Sequence, residues 1–402
     1  MKVFIAGIDG YLGWPFAQVL AARGHEVAGT DTLLRRQWVE EMGSQSALPV
    51  YSVEERKQAF REKYGKDILF LERDLLDYEF VKSFFADFKP DAIVHLGQMP
   101  SAPYSMMDQA HSVFTQTNNI VSNLNLLWAM REVCPDAHLL KLGTMGEYGT
   151  PNIDIPEGFF EVEYRGRKDV LPFPRQAGSF YHWSKVHDSN LTMFTCRIWG
   201  LRATDVMQGV VFGTRIDEMG DDSRLRSRLD FDQCFGTAIN RFCCQAVIGH
   251  PLTLFGGGNQ KRGFLPLRDS MQCLAIALEN PPQQGEYRVF NQFEETYNLV
   301  ELAEMVREVG NEFGLDVQIN NYENPRKEMD EHYYNPDRNH LISLGYQPTH
   351  DVKAEMRIMI QDLMQHKDRI MEKREILVPD IRWDGTRRRS EVIKTQAEPV
   401  QS

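Results

Sequence analysis

Apolar positions along the first 150 residues alternate between two spacings. Short, nearly unbroken apolar runs occur at 2–7 (KVFIAG), 25–31, 68–71, 92–96 and 138–143, each the length of a buried strand. Between them the apolar residues fall at helical intervals. Leu12, Phe16, Val19 and Leu20 share one face within 11–23, and 112–133 continues in the same manner. Strands alternating with helices imply βαβ units, right-handed crossovers and a parallel sheet covered on both faces. The expected fold class is α/β, with a doubly wound parallel sheet.

Two stretches break the rhythm. Residues 33–66 are charged and mostly helical in tendency, and 151–178 hold a predicted hairpin, 159–164 and 168–171, around Arg165-Gly166-Arg167. An insert of the second kind is either a lid over a pocket or a surface decoration. From about Thr204 the alternation loosens, punctuated by Gly256-Gly257-Gly258 and Pro281-Pro282, with helices predicted at 230–249, 299–313 and 351–373. That pattern reads as a smaller α/β domain over 204–383, interleaved with a larger one over 1–203. A solvated tail, 384–402, carries Arg387-Arg388-Arg389.

Composition removes several classes of partner. With 42% hydrophobic and 25% charged residues the chain is ordinary globular material. Lys and Arg number 45 against 57 Asp and Glu, a net charge of −12. Such a surface lacks the positive field that nucleic acid or an anionic membrane requires. None of the six cysteines forms a CxxC pair or a Cys/His set with zinc spacing, so no metal is expected and the compartment reads as reducing. No apolar run reaches the ~18 residues of a membrane span. The chain enters its first strand directly after Met1-Lys2, with no leader pattern. The expectation is a soluble cytoplasmic enzyme.

Gly7-Ile8-Asp9-Gly10-Tyr11-Leu12-Gly13 lies between the first strand and the first helix, with GxxGxxG spacing. One glycine permits a tight turn, one lets backbone approach a pyrophosphate, and one lets helix pack on strand, while the helix end attracts the anion. This is the dinucleotide cradle of a Rossmann sheet. Asp31, ending the second strand, can accept both ribose hydroxyls and repel a 2′-phosphate, which favours NAD over NADP; Arg35 and Arg36 nearby act against that choice. Asp74 and Leu75 are placed at the adenine, Leu96 and Gly97 along the cofactor, and Asn118 completes the set of expected contacts.

Tyr181 and Lys185 stand one helical turn apart. An ammonium beside a phenol stabilises phenolate, which makes it a usable base near neutrality. The same spacing recurs at Tyr78/Lys82 and Tyr164/Lys168, so context must choose. Only Tyr181 pairs with a strand ending in a hydroxyl residue, Thr144, which can bond the substrate oxygen that Tyr181 deprotonates.

Gly7, Gly10, Gly13, Asp31, Thr144, Tyr181 and Lys185 together resemble an extended short-chain dehydrogenase/reductase of the nucleotide-sugar epimerase and dehydratase type. Longer stretches are similar to its UDP-sulfoquinovose synthase branch: SAPYSM at 101–106, KLGTMGEYGTPNIDI at 141–155, SFYHWSKVHDS at 179–189, 241–253 from Arg241 to Thr253, and HYYN at 332–335. The resemblance runs to about residue 380. It implies NAD as a resident cofactor, UDP-glucose and sulfite as substrates, and a homodimer formed through 112–133 and 179–194. A partner protein that delivers sulfite fits the same chemistry. Hydride passes from C4 of the sugar to NAD while Tyr181 takes the hydroxyl proton. The 4-ketone then acidifies C5, the C6 hydroxyl leaves, sulfite adds at C6 of the 5,6-ene, and hydride returns to C4.

The resemblance carries Gln260 and Arg262 over to the uridine diphosphate, where Arg326 offers a second arginine and Gln208 a further contact; Gln98, Ser101, Tyr104, Thr144 and Met145 are expected on the sugar side. Related 4,6-dehydratases carry Asp-Glu after the threonine, where this chain has Met145-Gly146, so the elimination falls to His182 and Glu147. His182 reads equally as a packing or capping residue, and Glu147 as solvent-facing. Where the family pattern has arginine before SAPYS, this chain has Pro100. Two other readings remain at this stage: a UDP-sugar 4-epimerase or 5,6-dehydratase, and a non-catalytic dinucleotide sensor.

Overall fold

The computed structural model describes residues 1–328 and 333–393; His332 of the HYYN stretch and 394–402 lie outside the described residues. Five strands come from the first part of the chain: β1 (Lys2–Ala6), β2 (Glu26–Asp31), β3 (Leu69–Glu72), β4 (Ala92–His95) and β5 (His138–Thr144). A hairpin follows, β6 (Phe159–Tyr164) and β7 (Arg167–Pro172). Then come β8 (Arg202–Gln208), β9 (Val210–Phe212), β10 (Leu252–Phe255), β11 (Arg262–Pro266), β12 (Tyr287–Gln292), β13 (Glu295–Tyr297) and β14 (Ile319–Tyr322). Seven of them form one parallel sheet in the order β12-β8-β5-β4-β1-β2-β3. The order reverses beside β1, which is the mark of a doubly wound sheet and of its ligand crevice. The fold class read from apolar spacing is thus the one observed.

The central strands are short apolar runs because both faces are covered; all four residues of β4 are buried. Helix Gly13–Ala22 is buried on nearly every side. The sheet lies on one flank, and helix Leu267–Glu279 lies on the other, with Trp14, Phe16 and Leu20 sharing a core with Met271, Leu274 and Leu278. The later part of the chain therefore shares a core with the first. Strand β8 crosses position 203/204, and β12 completes the sheet from residues 287–292. The remaining strands make a parallel β10-β14 pair and a β13-β11-β9 trio.

Local chemistry explains several element limits. The β6–β7 hairpin turns on Arg165 and Gly166, both at positive φ (53° and 76°), the two-residue turn that matches strand twist. The expected helix over 230–249 begins only at Ala238. Before it, Asp232 accepts the Cys234 and Phe235 N–H groups and holds a loop. The helix expected over 351–373 breaks at Gln365-His366 into Val352–Met364 and Lys367–Glu372.

The described part of the expected tail is exposed, as a solvated segment would be, but it is tied to the folded body. Residues 384–393 fold back, with Tyr322 bridging Val392, Ile381 bridging Arg387, and Ser390 buried. Arg387 pairs with Asp380 and Arg388 with Glu323, so basic residues that suggest a free tail instead clamp it down.

A Cβ on Gly13 would lie 2.0 Å from the Gly7 carbonyl oxygen. Gly13→Ala is expected to push the helix off β1 and cost about 1–3 kcal/mol in a urea titration. An unchanged midpoint contradicts this packing.

Candidate active site

A cavity of about 340 Å³ opens at the carboxyl ends of the central strands, the edge at which open α/β sheets bind ligands. Gly7, Gly10, Tyr11, Leu12 and Gly13 line its floor. Gly7 sits at φ +83°, and a Cβ there would come 2.7 Å from Gly97 N. Backbone itself is the surface. No side chain caps the helix that follows, so its positive end faces the cradle.

At one end of the cavity Asp31 accepts N–H bonds from Leu33 (2.8 Å) and Asp9 (3.0 Å). Burial, reinforced by Asp9, pushes its carboxyl up to about 6. Asp9 does not line the cavity; it is buried between Arg56 (2.7 Å) and Arg36 (2.8 Å). Arg35 lines the cavity, but its guanidinium is held by Asp230 at 2.7 Å and stacked 3.8 Å over Phe235. Both arginines expected to attract a 2′-phosphate are therefore already neutralised. Arg56, which sequence reasoning missed, joins the insert to the cradle; a buried arginine on an otherwise charged helix leaves no periodic signal. Asp74, Leu75, Leu96, Gly97 and Asn118 all line the wall.

Thr144 and Tyr181 line the other end. Thr144 ends β5 and accepts the Gly146 N–H at 3.2 Å. Ser179 caps helix Phe180–Trp199 and so starts it where Tyr181 falls in the first turn. Lys185, one turn on, is 3% exposed and donates to the Leu142 carbonyl (2.7 Å) and to Gln98 Oε1. Burial, with Lys141 adding repulsion, brings its ammonium down to about 8. The Tyr181 phenol is moved the opposite way from the sequence expectation. Burial raises it, and the negative charges of Glu147 and Asp188 add to the rise.

Glu147 does not face solvent. It is fully buried, paired with Arg175 of the 151–178 insert, and accepts from Ser189 (3.0 Å) and the Thr144 N–H (3.2 Å). With Phe173 buried and Ile155 N bonded to Asn335 O at 3.0 Å, the base of the insert is anchored, while β7 at its tip is exposed. The His182 ring packs against Gly146, and its Nδ1 bonds Ser179 Oγ at 2.9 Å. Burial, with Arg326 and Arg262 opposing a further positive charge, brings it down to about 3, so it is neutral.

Of the expected substrate contacts, Gln98 and Gln208 line the cavity. Gln98 is fully engaged, with Lys185, Asp188 and the Asn119 carbonyl. Gln208 donates to Gln292 at 2.9 Å. Ser101 and Tyr104 lie outside the lining: Ser101 donates to Cys234 O (2.6 Å), and Tyr104 packs among Trp38, Phe235 and His111. Met145 is in a buried apolar cluster and Gln260 is buried beside Phe255 O. Arg262 pairs with Glu328 at 2.7 Å. Arg326 stacks 5.2 Å from Trp383, and Arg241, buried in helix Ala238–Ile248, stacks 4.9 Å from Phe255. Neither Arg241 nor Arg326 has an ion pair among the described residues; burial lowers both guanidinium groups, with Arg326 adding to the effect at Arg241 and Arg262 at Arg326. Arg241 had no signal beyond its place in a family-like stretch.

Backbone cradle, open helix end and a carboxylate beyond β2 fit a dinucleotide with free ribose hydroxyls. Among the described residues no group of three or more His, Cys, Asp or Glu is placed to hold a metal, and no helix is long and apolar enough to cross a membrane.

A model of the NAD dependent epimerase/dehydratase family matches residues 3–292. The chain is 49% identical over 384 residues to the UDP-sulfoquinovose synthase of Sulfolobus acidocaldarius, covering 95% of this chain and 98% of that protein. It is 45% identical over 382 residues to the chloroplastic UDP-sulfoquinovose synthase of Spinacia oleracea, covering 95% and 79%. The solved structure of a Thermotoga maritima UDP-glucose 4-epimerase with UDP-glucose aligns with a TM-score of 0.68 at 18% identity, over 91% of this chain and 99% of that one, a likeness of fold.

The Asp31 carboxyl titrates near 6 when folded, above its ordinary value of about 4. The folded state thus holds that proton more tightly. Stability from this group is full below about pH 4 and is lost as pH rises through about 6. Asp31→Asn is expected to remove that loss, so denaturant melts of the ligand-free protein at neutral pH should gain on the unaltered protein. Parallel pH profiles contradict it.

Proposed function

The chain belongs to the NAD dependent epimerase/dehydratase family and, within it, to the UDP-sulfoquinovose synthases, and from that premise we propose that it converts UDP-glucose and sulfite to UDP-sulfoquinovose through a 4-keto-5,6-ene sugar nucleotide. The observation that carries this reading is one cavity that joins the glycine cradle to Thr144 and Tyr181. The cofactor of the family is NAD; Gly7, Gly10, Gly13, Asp31, Leu75 and Gly97 are placed to hold it. When bound it supplies a hydride acceptor that is positively charged until reduced.

Tyr181 removes the C4 hydroxyl proton, and Thr144 bonds the same oxygen. Burial and the nearby carboxylates hold the phenol high, and a positive charge brought beside it would bring it down towards a usable base. The C4 ketone acidifies C5. His182, neutral and tethered at Nδ1, moves the elimination proton, while Glu147 is locked by Arg175 and orients the Thr144 turn. Arg241, Arg262 and Arg326 take the diphosphate, whose charge relieves the repulsion among them. Sulfite adds at C6, and hydride return to C4 closes the cycle.

Pro100 lines the cavity where the family pattern has arginine. It favours a second reading, a UDP-sugar 4-epimerase or 5,6-dehydratase that shares the oxidised C4 stage. Six unpaired cysteines support a reducing compartment, which we take to be the cytoplasm. A homodimer is supported by helices Gln109–Val133 and Phe180–Trp199, which pack together and expose Val121, Trp128, Trp183, Phe194 and Ile198.

Incubation with UDP-glucose and sulfite is expected to yield a sulfonated sugar nucleotide by mass spectrometry, and Tyr181→Phe to lower turnover by roughly 10²–10⁴-fold. Epimer or enone without sulfonate would establish the second reading instead. Sedimentation is expected to report a dimer, shifted towards monomer by Trp183→Glu; a monomeric unaltered protein contradicts the interface.

A further inference from the structure

Three cations and three carboxylates are buried together beneath Thr144 and Tyr181. Lys141 of β5 is paired with Asp205 of β8 (3.1 Å), and Arg175 with Glu147. Asp205 also accepts from Tyr287 (2.7 Å), and Ser189 lies between the two carboxylates. Lys185 and Asp188 are the remaining pair, both buried, and they do not touch through an ion pair. The side-chain amide of Gln98 stands between them. Its Oε1 accepts from the Lys185 ammonium, and its Nε2 donates to Asp188 Oδ2 at 2.5 Å. Asp188 Oδ1 has no partner. Only this orientation of the amide satisfies both neighbours, because the reverse would set N–H against ammonium and carbonyl against carboxylate.

We propose that Asp188 is the positioning residue that keeps Lys185 an ammonium ion, acting through the side-chain amide of Gln98. Asp205 and Glu147 are committed to other cations, and both oxygens that Lys185 contacts are uncharged. Asp188 is the carboxylate left to balance it, and a buried cation without a counter-charge sheds its proton. The groups facing this pair are Lys141, Glu147 and Asp205, together with His95 of β4, which is buried, neutral and without a partner on either ring nitrogen. Burial lowers Lys185 and raises Asp188, and each acts against the other's shift, with Lys141 also acting on Asp188.

The inference rests on the reading that turnover needs Lys185 as an ammonium, and its test has a readout that needs no turnover. Acetic anhydride acylates amines only when unprotonated. Trace labelling of the purified protein across pH, read by mass spectrometry on the Lys185 peptide, gives the pH at which that amine titrates. In Asp188→Asn the titration is expected to move down by about one to three pH units, with the alkaline limb of turnover moving alike. Asp188→Glu should restore most of both. Gln98→Leu, which keeps the carboxylate and removes the bridge, should shift them part of the way and serves if Asp188→Asn does not fold. Where the buried amine resists the reagent, the alkaline limb decides. A variant that loses stability or rate while both profiles stay in place overturns the proposal. A shifted label with no sulfonated product from the unaltered protein would overturn the functional reading and leave this one standing.

Discussion

Charge left unpaired in a dry interior is costly, and the ground beneath the cavity is arranged around that constraint. Lys141, Lys185 and Arg175 face Asp205, Asp188 and Glu147 with their side chains largely removed from solvent. The pairs come from β5, β8, the helix that carries Tyr181 and the insert at 151–178. Any one of these elements out of place strands an ion. The positions of Thr144 and Tyr181 are therefore set by the electrostatics of the floor as much as by the packing of the sheet. The insert is bound to the site for the same reason, since Arg175 is the counter-ion of Glu147.

A second balance operates at the walls. The chain carries a net charge of −12, yet Arg326 acts on the neutral His182 and, like Arg241, has no ion pair among the described residues. Overall charge governs what approaches from a distance, and local placement governs what is held. At the opposite end Arg35 and Arg36 are spent on Asp230 and Asp9, which leaves Asp31 to set the preference there. Buried cations are thus paired at one end of the site, while Arg241 and Arg326 have no ion pair among the described residues.

Much of this was legible in the residues. Short apolar runs set between helical spacings located every strand of the first 150 residues, and the glycine triplet located the cradle, because backbone approach admits no other side chain. The Thr144/Tyr181 pairing followed from strand ends. Roles decided by long-range partners were not legible. Glu147 looks solvent-facing until Arg175 arrives from 28 residues away. Arg36 looks free until Asp9 claims it, and Ser101 and Tyr104 look like substrate contacts until Cys234, Trp38 and Phe235 enclose them. The attachment of the exposed tail was not legible because its charges are local, whereas the acids that bind it, Asp380 and Glu323, belong to the folded body.

In the proposed reaction the hydride that leaves C4 of the sugar returns to the same carbon, and Tyr181 handles the proton. UDP-glucose bearing deuterium at C4, turned over with sulfite, tests it directly. The account predicts sulfonated product that retains the deuterium at C4, formed more slowly than from unlabelled sugar. Deuterium lost to solvent, or retained with no slowing at any stage of a single turnover, would contradict it.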